Sequence, residues 1–280
     1  MGSKEKNMDL TSTENEAAKK VKKADKWADK PAMEVRDLHF SYGKNKVLKG
    51  VSLKIEEGKI TTIMGANGCC KSTLFSLMTK NLYPRKGNIF LKGKNIQNLN
   101  LKEFARKVAI VQQYNSASDD ITVENLVAFG RTPHKKMMQG DSAEDERMIQ
   151  WALEVTNLTE YRDREVSRLS GGQRQRLTIA RALVKKPEIL ILDDNLSALD
   201  FATDAALRKA LAGLEGETTT FLVSQRVAGI RQADKILVLD NGELAGSGTH
   251  DELMKSCEVY REIYFSQFPE DRAKYERGEM

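Results

Sequence analysis

The sequence is poor in the residues that mark several protein classes. It has three cysteines, Cys69, Cys70 and Cys257, and no two of them have CxxC spacing. This argues against a disulfide framework or a zinc knuckle and favours a reducing compartment such as the cytosol. The 19 glycines and 5 prolines among 280 residues exclude collagen-like and low-complexity chains.

The sequence also lacks a long apolar run and a strong excess of one charge. No run approaches the roughly 20 apolar residues that a membrane-spanning helix needs, and the charged N-terminus does not resemble a secretory signal. We therefore expect any membrane-spanning part to come from another chain. The 45 basic and 40 acidic residues leave a net charge of +5, which is too small to indicate a nucleic acid partner.

Apolar strands alternate with helical patterns along most of the chain. With 40% hydrophobic and 30% charged residues, the chain can bury a substantial core. Strands such as Ile60–Met64 and Ile189–Leu192, apolar on both faces, predict an α/β fold with a mainly parallel sheet. The N-terminal strands predict an antiparallel β edge, and residues 114–183 predict an inserted helical subdomain. We expect charged tails over residues 1–31 and 269–280, with one domain over 32–268.

A glycine-containing loop joins the strand Ile60–Met64 to a predicted helix. The backbone N–H groups of such a loop and of the helix N-terminus face an anion. The pattern predicts a phosphate-binding loop in which Lys71 reaches the β- and γ-phosphates and Ser72 binds Mg²⁺. The usual pattern, GxxxxGK[ST], has glycine where this chain has Cys70, and a turn without a ligand is the alternative. The loop consists of Gly65, Ala66, Asn67, Gly68, Cys69, Cys70, Lys71, Ser72 and Thr73.

Two carboxylates, Asp193 and Asp194, follow the apolar strand Ile189–Leu192. At the C-terminal edge of a parallel sheet, the first acid suits Mg²⁺ and the second can orient or deprotonate a water molecule. Because acidic residues commonly follow strands, this prediction depends on the phosphate loop upstream.

The segment Leu169-Ser170-Gly171-Gly172-Gln173 is the most specific feature of the sequence. Ser170 can cap the helix that follows, and the two glycines expose backbone N–H groups to an anion. A capped helix start without a ligand is the simpler interpretation. The pentapeptide LSGGQ followed by Arg174-Gln175-Arg176, however, has very few accidental occurrences.

With these motifs, the chain resembles the ATP-binding cassette (ABC) ATPases from Met33 to about Phe268. The resemblance implies a P-loop NTPase core that binds ATP and Mg²⁺ and works as a dimer. In such dimers, the segment Ser170–Gln173 closes on the ATP held by the second subunit. The resemblance also implies that Tyr42 stacks on adenine, which is worth roughly 1–3 kcal/mol; a tyrosine without a ligand is the alternative.

The same resemblance assigns the remaining motifs. Residues Gly65 to Thr73 resemble the Walker A loop, and Asp193 resembles the Walker B aspartate. Gln113 resembles the Q-loop glutamine, which senses Mg²⁺ and contacts the membrane subunit. Residues Ser197 to Asp200 resemble the D-loop.

Several residues depart from the family pattern. Asp194 stands where the catalytic glutamate is usual, and Gln225 stands at the switch histidine position. Glutamine can hydrogen-bond a γ-phosphate but carries no positive charge. Together with Cys70, these departures predict weakened hydrolysis.

The resemblance differs between the two halves of the chain. Up to about Arg176, stretches such as Gly130–His134 resemble the ATPases of iron-chelate and cobalamin importers. From about Leu177, stretches such as Ser224–Arg226 resemble the degenerate domain of heterodimeric exporters. A chimera and a divergent natural sequence would both explain this split.

The resulting hypothesis is the ATP-binding subunit of an ABC transporter that hydrolyses ATP slowly. We expect a homo- or heterodimer with a second ABC domain, a membrane-spanning partner and a cytoplasmic position on the inner face of the membrane. Two alternatives are an ATP-binding clamp without appreciable turnover and a recombined domain with no transport partner. Kinases and small GTPases share the phosphate loop, but the segment Leu169–Gln173 argues against them.

Overall fold

The fold is given by a computed structural model, and the structure describes residues 31–66, 68–111, 120–136, 140–192, 218–223, 231 and 233–277. The strands are β1 (Met33–Tyr42), β2 (Asn45–Ile55), β3 (Ile60–Met64), β4 (Lys86–Leu91), β5 (Lys94–Asn95), β6 (Val108–Val111), β7 (Ile189–Leu192), β8 (Thr219–Val223), β9 (Lys235–Asp240) and β10 (Glu243–Gly248). The helices are α1 (Lys71–Met78), α2 (Leu101–Lys107), α3 (Val123–Ala128), α4 (Ala143–Val155), α5 (Gly171–Leu183), α6 (His250–Ser256), α7 (Glu258–Gln267) and α8 (Pro269–Glu276). Among these helices, none is both long and apolar enough to cross a membrane.

The larger sheet has six strands in the order β10-β9-β3-β8-β7-β6. Its inner strands run parallel, and β10 alone pairs antiparallel, with β9. The inner strand β7 is apolar on both faces because helices cover both faces of the sheet there. Ile189 and Ile191 of β7 belong to the same core as α1, whereas Leu190 and Leu192 pack with α5. The prediction of an α/β fold with a mainly parallel sheet is confirmed.

The smaller sheet is antiparallel, with the order β2-β1-β4-β5, and forms the predicted antiparallel edge. Its inner face shares one hydrophobic core with α1 and with β3 of the larger sheet. Charged groups also join the two sheets. The Lys92 ammonium group lies 2.8 Å from a carboxylate oxygen of Glu57 and 3.1 Å from one of Glu188. The Lys107 ammonium group lies 2.8 Å from the other carboxylate oxygen of Glu188.

Helices α3, α4 and α5 form a helical segment around a core of their own. Val127, Leu153 and Leu177 are buried at its centre. The far side of α5 packs against the larger sheet through Ile179 and Leu183. Helix α5 therefore packs both within the helical segment and against the larger sheet. The boundaries 114–183 of the helical subdomain stay a prediction.

The expected charged tail from residue 269 contains a helix in the structure. Helix α8 begins with Pro269, which suits the first turn of a helix. The Tyr275 hydroxyl donates a hydrogen bond to the Met254 carbonyl oxygen (3.1 Å), and the Tyr264 hydroxyl donates one to Asp271 (2.7 Å). Sequence patterns missed this helix because it has little apolar periodicity, and single tyrosine contacts hold it in place.

Candidate functional site

The phosphate loop lies at the edge of the larger sheet where its parallel strands end. Strands β3, β6, β7 and β8 all end there, and the phosphate loop follows β3 directly. Ligands of open α/β sheets bind at this carboxyl edge. The site residues Gln113, Asp193, Asp194 and Gln225, and also Asn67 and Ser197–Asp200, lie outside the described residues.

Gly65 opens the loop at a point where the backbone is closely packed. A Cβ atom at Gly65 would lie 2.3 Å from both the Cys69 sulfur and the Leu239 carbonyl oxygen. Only a hydrogen atom fits there. The Cys69 N–H donates to the Ala66 carbonyl oxygen (3.3 Å), which tightens the turn. The loop therefore owes part of its shape to β9, far away in sequence.

The Lys71 side chain is held inside the loop. Only 7% of the residue is exposed, and its ammonium group donates to the carbonyl oxygens of Gly65 (2.7 Å) and Ala66 (3.0 Å). It also lies 3.7 Å from the Cys69 sulfur. None of its partners among the described residues is a carboxylate, so the charge is available to an anionic ligand.

The two cysteines of the loop have different surroundings. Cys69 is buried beneath Lys71, and burial raises the pKa of its thiol although the Lys71 charge opposes this. Cys70 is half-buried, and its thiol donates to the Gly68 carbonyl oxygen (3.3 Å). Its φ of 76° and ψ of 19° are in the left-handed region that favours glycine. The departure from the family pattern thus lies at a backbone position suited to glycine.

The N-terminus of α1 forms the open side of the loop. The N–H groups of its first turn lack helical acceptors, the turn carries no acidic residue, and no described side chain caps it. The Ser72 hydroxyl is exposed and makes no hydrogen bond to a described residue. These groups suit a phosphate anion. The hydroxyl oxygen also fits Mg²⁺, which prefers oxygen ligands.

Tyr42 ends β1 with an aromatic ring that is open to solvent. The residue is 55% exposed, and its ring and the Phe40 ring form a T-shaped pair with a centroid distance of 4.9 Å and an interplanar angle of 83°. A planar group can therefore stack on its free face.

The turn between β9 and β10 contacts both the β1–β2 hairpin, which carries Tyr42, and the phosphate loop. Gly242 lies against β2, where a Cβ atom would come within 2.0 Å of the Val47 carbonyl oxygen, and it accepts a hydrogen bond from the Lys49 N–H (3.0 Å). At the other end of the turn, Leu239 contacts Gly65. The sequence analysis did not identify this turn, because its contacts join segments that are distant in sequence.

The LSGGQ segment starts α5 with a reciprocal cap. The Ser170 hydroxyl accepts a hydrogen bond from the Gln173 N–H (3.3 Å), and the Gln173 side chain accepts one from the Ser170 N–H (2.9 Å). Ser170 and Gly171 are exposed, and a Cβ atom at Gly171 would meet nothing within 4 Å. No hydrogen bond or ion pair between described residues joins this segment to the phosphate loop of the same chain.

A buried ion pair between Arg131 and Asp145 of α4 stabilises the helical segment. Arg131 donates to Asp145 (2.6 Å) and to the Val184 carbonyl oxygen (3.2 Å), and both charged side chains are about 94% buried. Burial alone would raise the pKa of Asp145, but hydrogen bonds from Arg131 and Ser142 outweigh it and lower the pKa from 3.8 to about 2. Asp145 is therefore ionised at neutral pH.

A groove of about 670 Å³ lies on the helical segment. Residues of α3 and α4 line it together with Asp141 and Arg162, and they combine apolar, acidic and basic side chains. Sequence patterns did not predict it, because its walls come from separate helices. The lining includes Glu124, Ala128, Glu146, Ile149, Trp151 and Glu154.

Comparisons with known protein families and curated proteins agree with these motifs. A family model described as ABC transporter matches residues 48–197. The iron(3+)-hydroxamate import ATP-binding protein FhuC of Bacillus subtilis (strain 168) is 34% identical over 236 residues, which cover 83% of this chain and 87% of the relative. The ATP-dependent lipid A-core flippase of Saccharophagus degradans is 34% identical over 263 residues, or 93% of this chain and 44% of the relative. The chain thus spans less than half of this exporter relative.

A solved structure of an ATP-bound bacterial Atm1-family ABC exporter has a similar fold. Its TM-score is 0.73 at 29% sequence identity, and the match covers 86% of this chain and 42% of that one. The importer relative FhuC and the exporter relative, the lipid A-core flippase, are each 34% identical to this chain, and each match extends over both halves of it. The hypothesis of a chimera stays untested.

Proposed function

The chain belongs to the ABC transporter family of ATP-binding domains, and from this premise we propose that it binds Mg·ATP between two such domains and hydrolyses it slowly to drive transport. ATP binding and hydrolysis are the activities of this family. The roles of single residues, the metal ligands and the slow turnover are the proposal. The observation that carries it is the loop built around the buried Lys71 at the N-terminus of α1.

The nucleotide would lie across the phosphate loop, from Gly65 to Thr73. Its phosphates would meet the α1 N-terminus and the Lys71 ammonium group, which would exchange carbonyl oxygens for phosphate oxygens. The adenine would stack on Tyr42, whose ring is exposed on the hairpin next to the loop.

Mg²⁺ would be held by Ser72 and Asp193, with Gln113 close by. When bound, Mg²⁺ would neutralise charge that develops on the phosphates during hydrolysis. The free Ser72 hydroxyl supports this assignment. Asp193 is the next residue in the sequence after β7, and β7 ends at the same edge of the sheet as β3, which precedes the loop.

A second domain would complete the site. Ser170 and Gly171 are exposed at the N-terminus of α5, and the segment Ser170–Gln173 makes no hydrogen bond to the phosphate loop of its own chain among the described residues. The N–H groups of Gly171 and Gly172, which take no part in the reciprocal cap, suit the γ-phosphate of an ATP held by another copy or by a different ABC domain.

The positions of Asp194 and Gln225 are the reason to expect slow turnover. Aspartate is one methylene shorter than glutamate and would hold its carboxylate farther from the attacking water. Gln225 would not carry the charge of a histidine. Loss of a positioned acid–base group costs roughly 10²–10⁴-fold in rate. A clamp that binds ATP without turnover remains the second candidate function.

The test is steady-state phosphate release at saturating Mg·ATP by four proteins: the parent, Asp194→Glu, Gln225→His and the double variant. We expect the double variant to turn over faster than the product of the single effects, because the two groups act together. ATP affinity should change little. A parent as fast as the double variant would contradict slow turnover, and no release from any of the four would favour the clamp.

We propose that residues 32–268 form the ABC domain and that it sits on the inner face of a membrane with a membrane-spanning partner. The groove on α3 and α4 contains no residue of the phosphate loop and is lined by Ile149 and Trp151 together with acidic and basic side chains. These properties suit a segment of that partner. Substitution of the groove residue Glu154 by lysine should weaken co-purification with the partner while ATP affinity stays unchanged.

A further inference from the structure

The groove on the helical segment combines apolar side chains with an excess of acidic ones. Ile149 is buried and Trp151 is half-buried. Four acidic and two basic side chains line the groove, which leaves an excess of two negative charges in the lining. The acidic ones are Glu124, Asp141, Glu146 and Glu154, and the basic ones are Arg147 and Arg162.

Two of the four carboxylates have no cationic partner among the described residues. Arg162 pairs with one of the other two, and Lys135, which lies outside the lining, pairs with the second. Glu146 and Glu154 are exposed and form no ion pair with a described residue. Arg147 is also without an ion pair in the described part of the chain, so the charge left over in the groove is negative. The groove therefore suits a positively charged segment that brings an apolar side chain with it.

The chain carries such a segment before its first strand. Four of the five residues from 19 to 23 are lysines, the residue at their centre is Val21, and no residue from 17 to 24 is acidic. We call residues 19–23 the lysine cluster. Its charges and its one apolar side chain complement the acidic and apolar lining of the groove. The lysines are Lys19, Lys20, Lys22 and Lys23.

Helix α2 connects the start of the described chain with the groove. The Ala32 carbonyl oxygen accepts a hydrogen bond from the Lys92 N–H (3.0 Å), and the Lys92 side chain shares a carboxylate with Lys107 of α2. Another lysine of α2 donates to the Lys135 carbonyl oxygen (2.6 Å), and the Lys135 side chain pairs with the groove residue Asp141.

The chain before Ala32 is long enough to reach the groove. Lys23 and Lys19 lie nine and thirteen residues before Ala32. At about 3.3 Å per residue, an extended chain of these lengths spans roughly 30 to 43 Å. A domain of about 240 residues has a radius of gyration of roughly 18 Å. The lysine cluster can therefore reach most of the surface of its own domain.

We propose that the lysine cluster docks in the groove of its own chain, with Val21 against Trp151 and the lysines beside Glu146 and Glu154, and closes the groove to other proteins. The groove is also the proposed seat of the membrane-spanning partner, so the tail competes with that partner. This consequence rests on the proposed function. The docking itself needs neither nucleotide nor partner.

The experiment measures how far the tail covers the groove in the full chain. Trp27→Phe leaves Trp151 as the sole tryptophan, and acrylamide, an uncharged quencher, reports the access to its ring. Lys20→Glu with Lys22→Glu should raise the quenching constant about twofold or more at low salt, because exposed ion pairs are replaced by repulsions. Salt at about 0.5 M should raise it in the parent by a similar factor, because salt screens exposed charges.

A charge exchange makes the result specific to the groove. Glu146→Lys with Glu154→Lys should also raise the quenching constant, and adding the two tail substitutions should bring it back to the parent value. The matched control, Lys4→Glu with Lys6→Glu, changes the charge of the tail equally outside the lysine cluster and should leave the quenching unchanged.

Three results would overturn the proposal. The first is equal quenching of the parent and the tail variant, and the second is a charge exchange that does not restore the parent value. The third is quenching that rises when the parent is diluted, which would assign the groove to a second copy of the chain. Because nucleotide and partner are left out of this measurement, a parent that binds no ATP would contradict the proposed function and leave the docking of the tail standing.

Discussion

The phosphate loop and the helical segment reach their conformations by different means. In the helical segment, α3, α4 and α5 each begin at a side-chain cap, provided by Thr122, Ser142 and Ser170. Helix α1 has no such cap among the described residues and begins at Cys70, in a left-handed conformation. The loop is held instead by contacts from β9 and by the buried Lys71.

This difference explains where each region tolerates unusual residues. Local caps encode a helix start within a few residues, so a sequence change there alters the helix directly. The conformation of the phosphate loop is imposed by distant strands, which can hold even a cysteine in a glycine conformation at a cost of roughly 1–2 kcal/mol. The proposed binding residues thus lie on a strained loop, whereas the helices of the helical segment each begin at a cap of their own.

The largest expected effect is in the helical segment. Asp145→Ala removes the close carboxylate partner of the buried Arg131 guanidinium and leaves it, among the described residues, only the Glu144 carboxylate at 3.9 Å, and such a change costs about 3–5 kcal/mol. Urea unfolding with a fluorescence readout measures the loss. Asp141→Ala removes a more exposed partner of Lys135 and should cost about 1 kcal/mol or less. Equal losses for the two variants would contradict the structural role of the buried pair.

The same pair predicts a pH dependence. The pKa of Asp145 is about 2 in the folded chain and 3.8 ordinarily, so the unfolded state binds its proton first as the pH falls. The stabilisation is complete above about pH 5 and is lost as the pH falls through 3.8 toward 2, and it amounts to about 2 kcal/mol. Asp145→Asn should remove this part of the acid destabilisation, which unfolding curves at several pH values would reveal.

The sequence predicts the helical segment and the strands well, for reasons visible in single residues. Ser170 and Gln173 form a cap that can be recognised from their spacing, and the apolar run Ile189–Leu192 is a strand buried on both faces. Helix α8 could not be predicted, because its Tyr275 hydroxyl bonds to the Met254 carbonyl oxygen of α6, a contact that forms only in the folded chain. The contact of Leu239 with Gly65 is equally invisible, since β9 and the loop meet only in the folded sheet.

The next effect concerns the phosphate loop and compares two lysines. Lys71 donates to the backbone carbonyl oxygens of Gly65 and Ala66. Lys80 likewise donates to two backbone carbonyl oxygens, those of Ile96 and Leu99. Lys71→Ala should weaken ATP binding about 10- to 100-fold, because a hydrogen bond from a charged group is worth roughly 1.5–3 kcal/mol. Lys80→Ala should lower stability but leave ATP affinity unchanged. Calorimetric titration measures both; an unchanged affinity for Lys71→Ala would refute the site assignment.

A smaller effect is expected at the cap of α5. Ser170→Ala removes one side of the reciprocal cap and should cost about 1 kcal/mol of stability. Thr249→Ala removes the same type of cap from α6, away from the nucleotide site, and should cost a similar amount. Only Ser170→Ala should also slow phosphate release, which a phosphate assay on both variants would show. Equal rates for the two variants would mean that Ser170 acts only as a cap.

The smallest effect tests the strain in the loop itself. Cys70→Gly replaces a side chain at φ 76° by a residue that adopts this conformation freely. The relief of roughly 1–2 kcal/mol is partly offset by the larger entropy loss of glycine on folding, roughly 0.5–1 kcal/mol. We expect a gain in stability of about 1 kcal/mol or slightly less, together with tighter ATP binding, because the Cβ atom no longer stands beside the phosphates.

Lys186 provides the matched control for this last comparison. Its φ is 48°, it lies in an exposed turn after α5, and its N–H donates to the Leu183 carbonyl oxygen. Lys186→Gly relieves the same kind of strain outside the site and should raise stability to a similar extent without any change in ATP affinity. Thermal unfolding and calorimetric titration of both variants separate the two quantities. If Cys70→Gly gains stability but binds ATP no more tightly, the loop accommodates the thiol, and its strain has no consequence for the nucleotide.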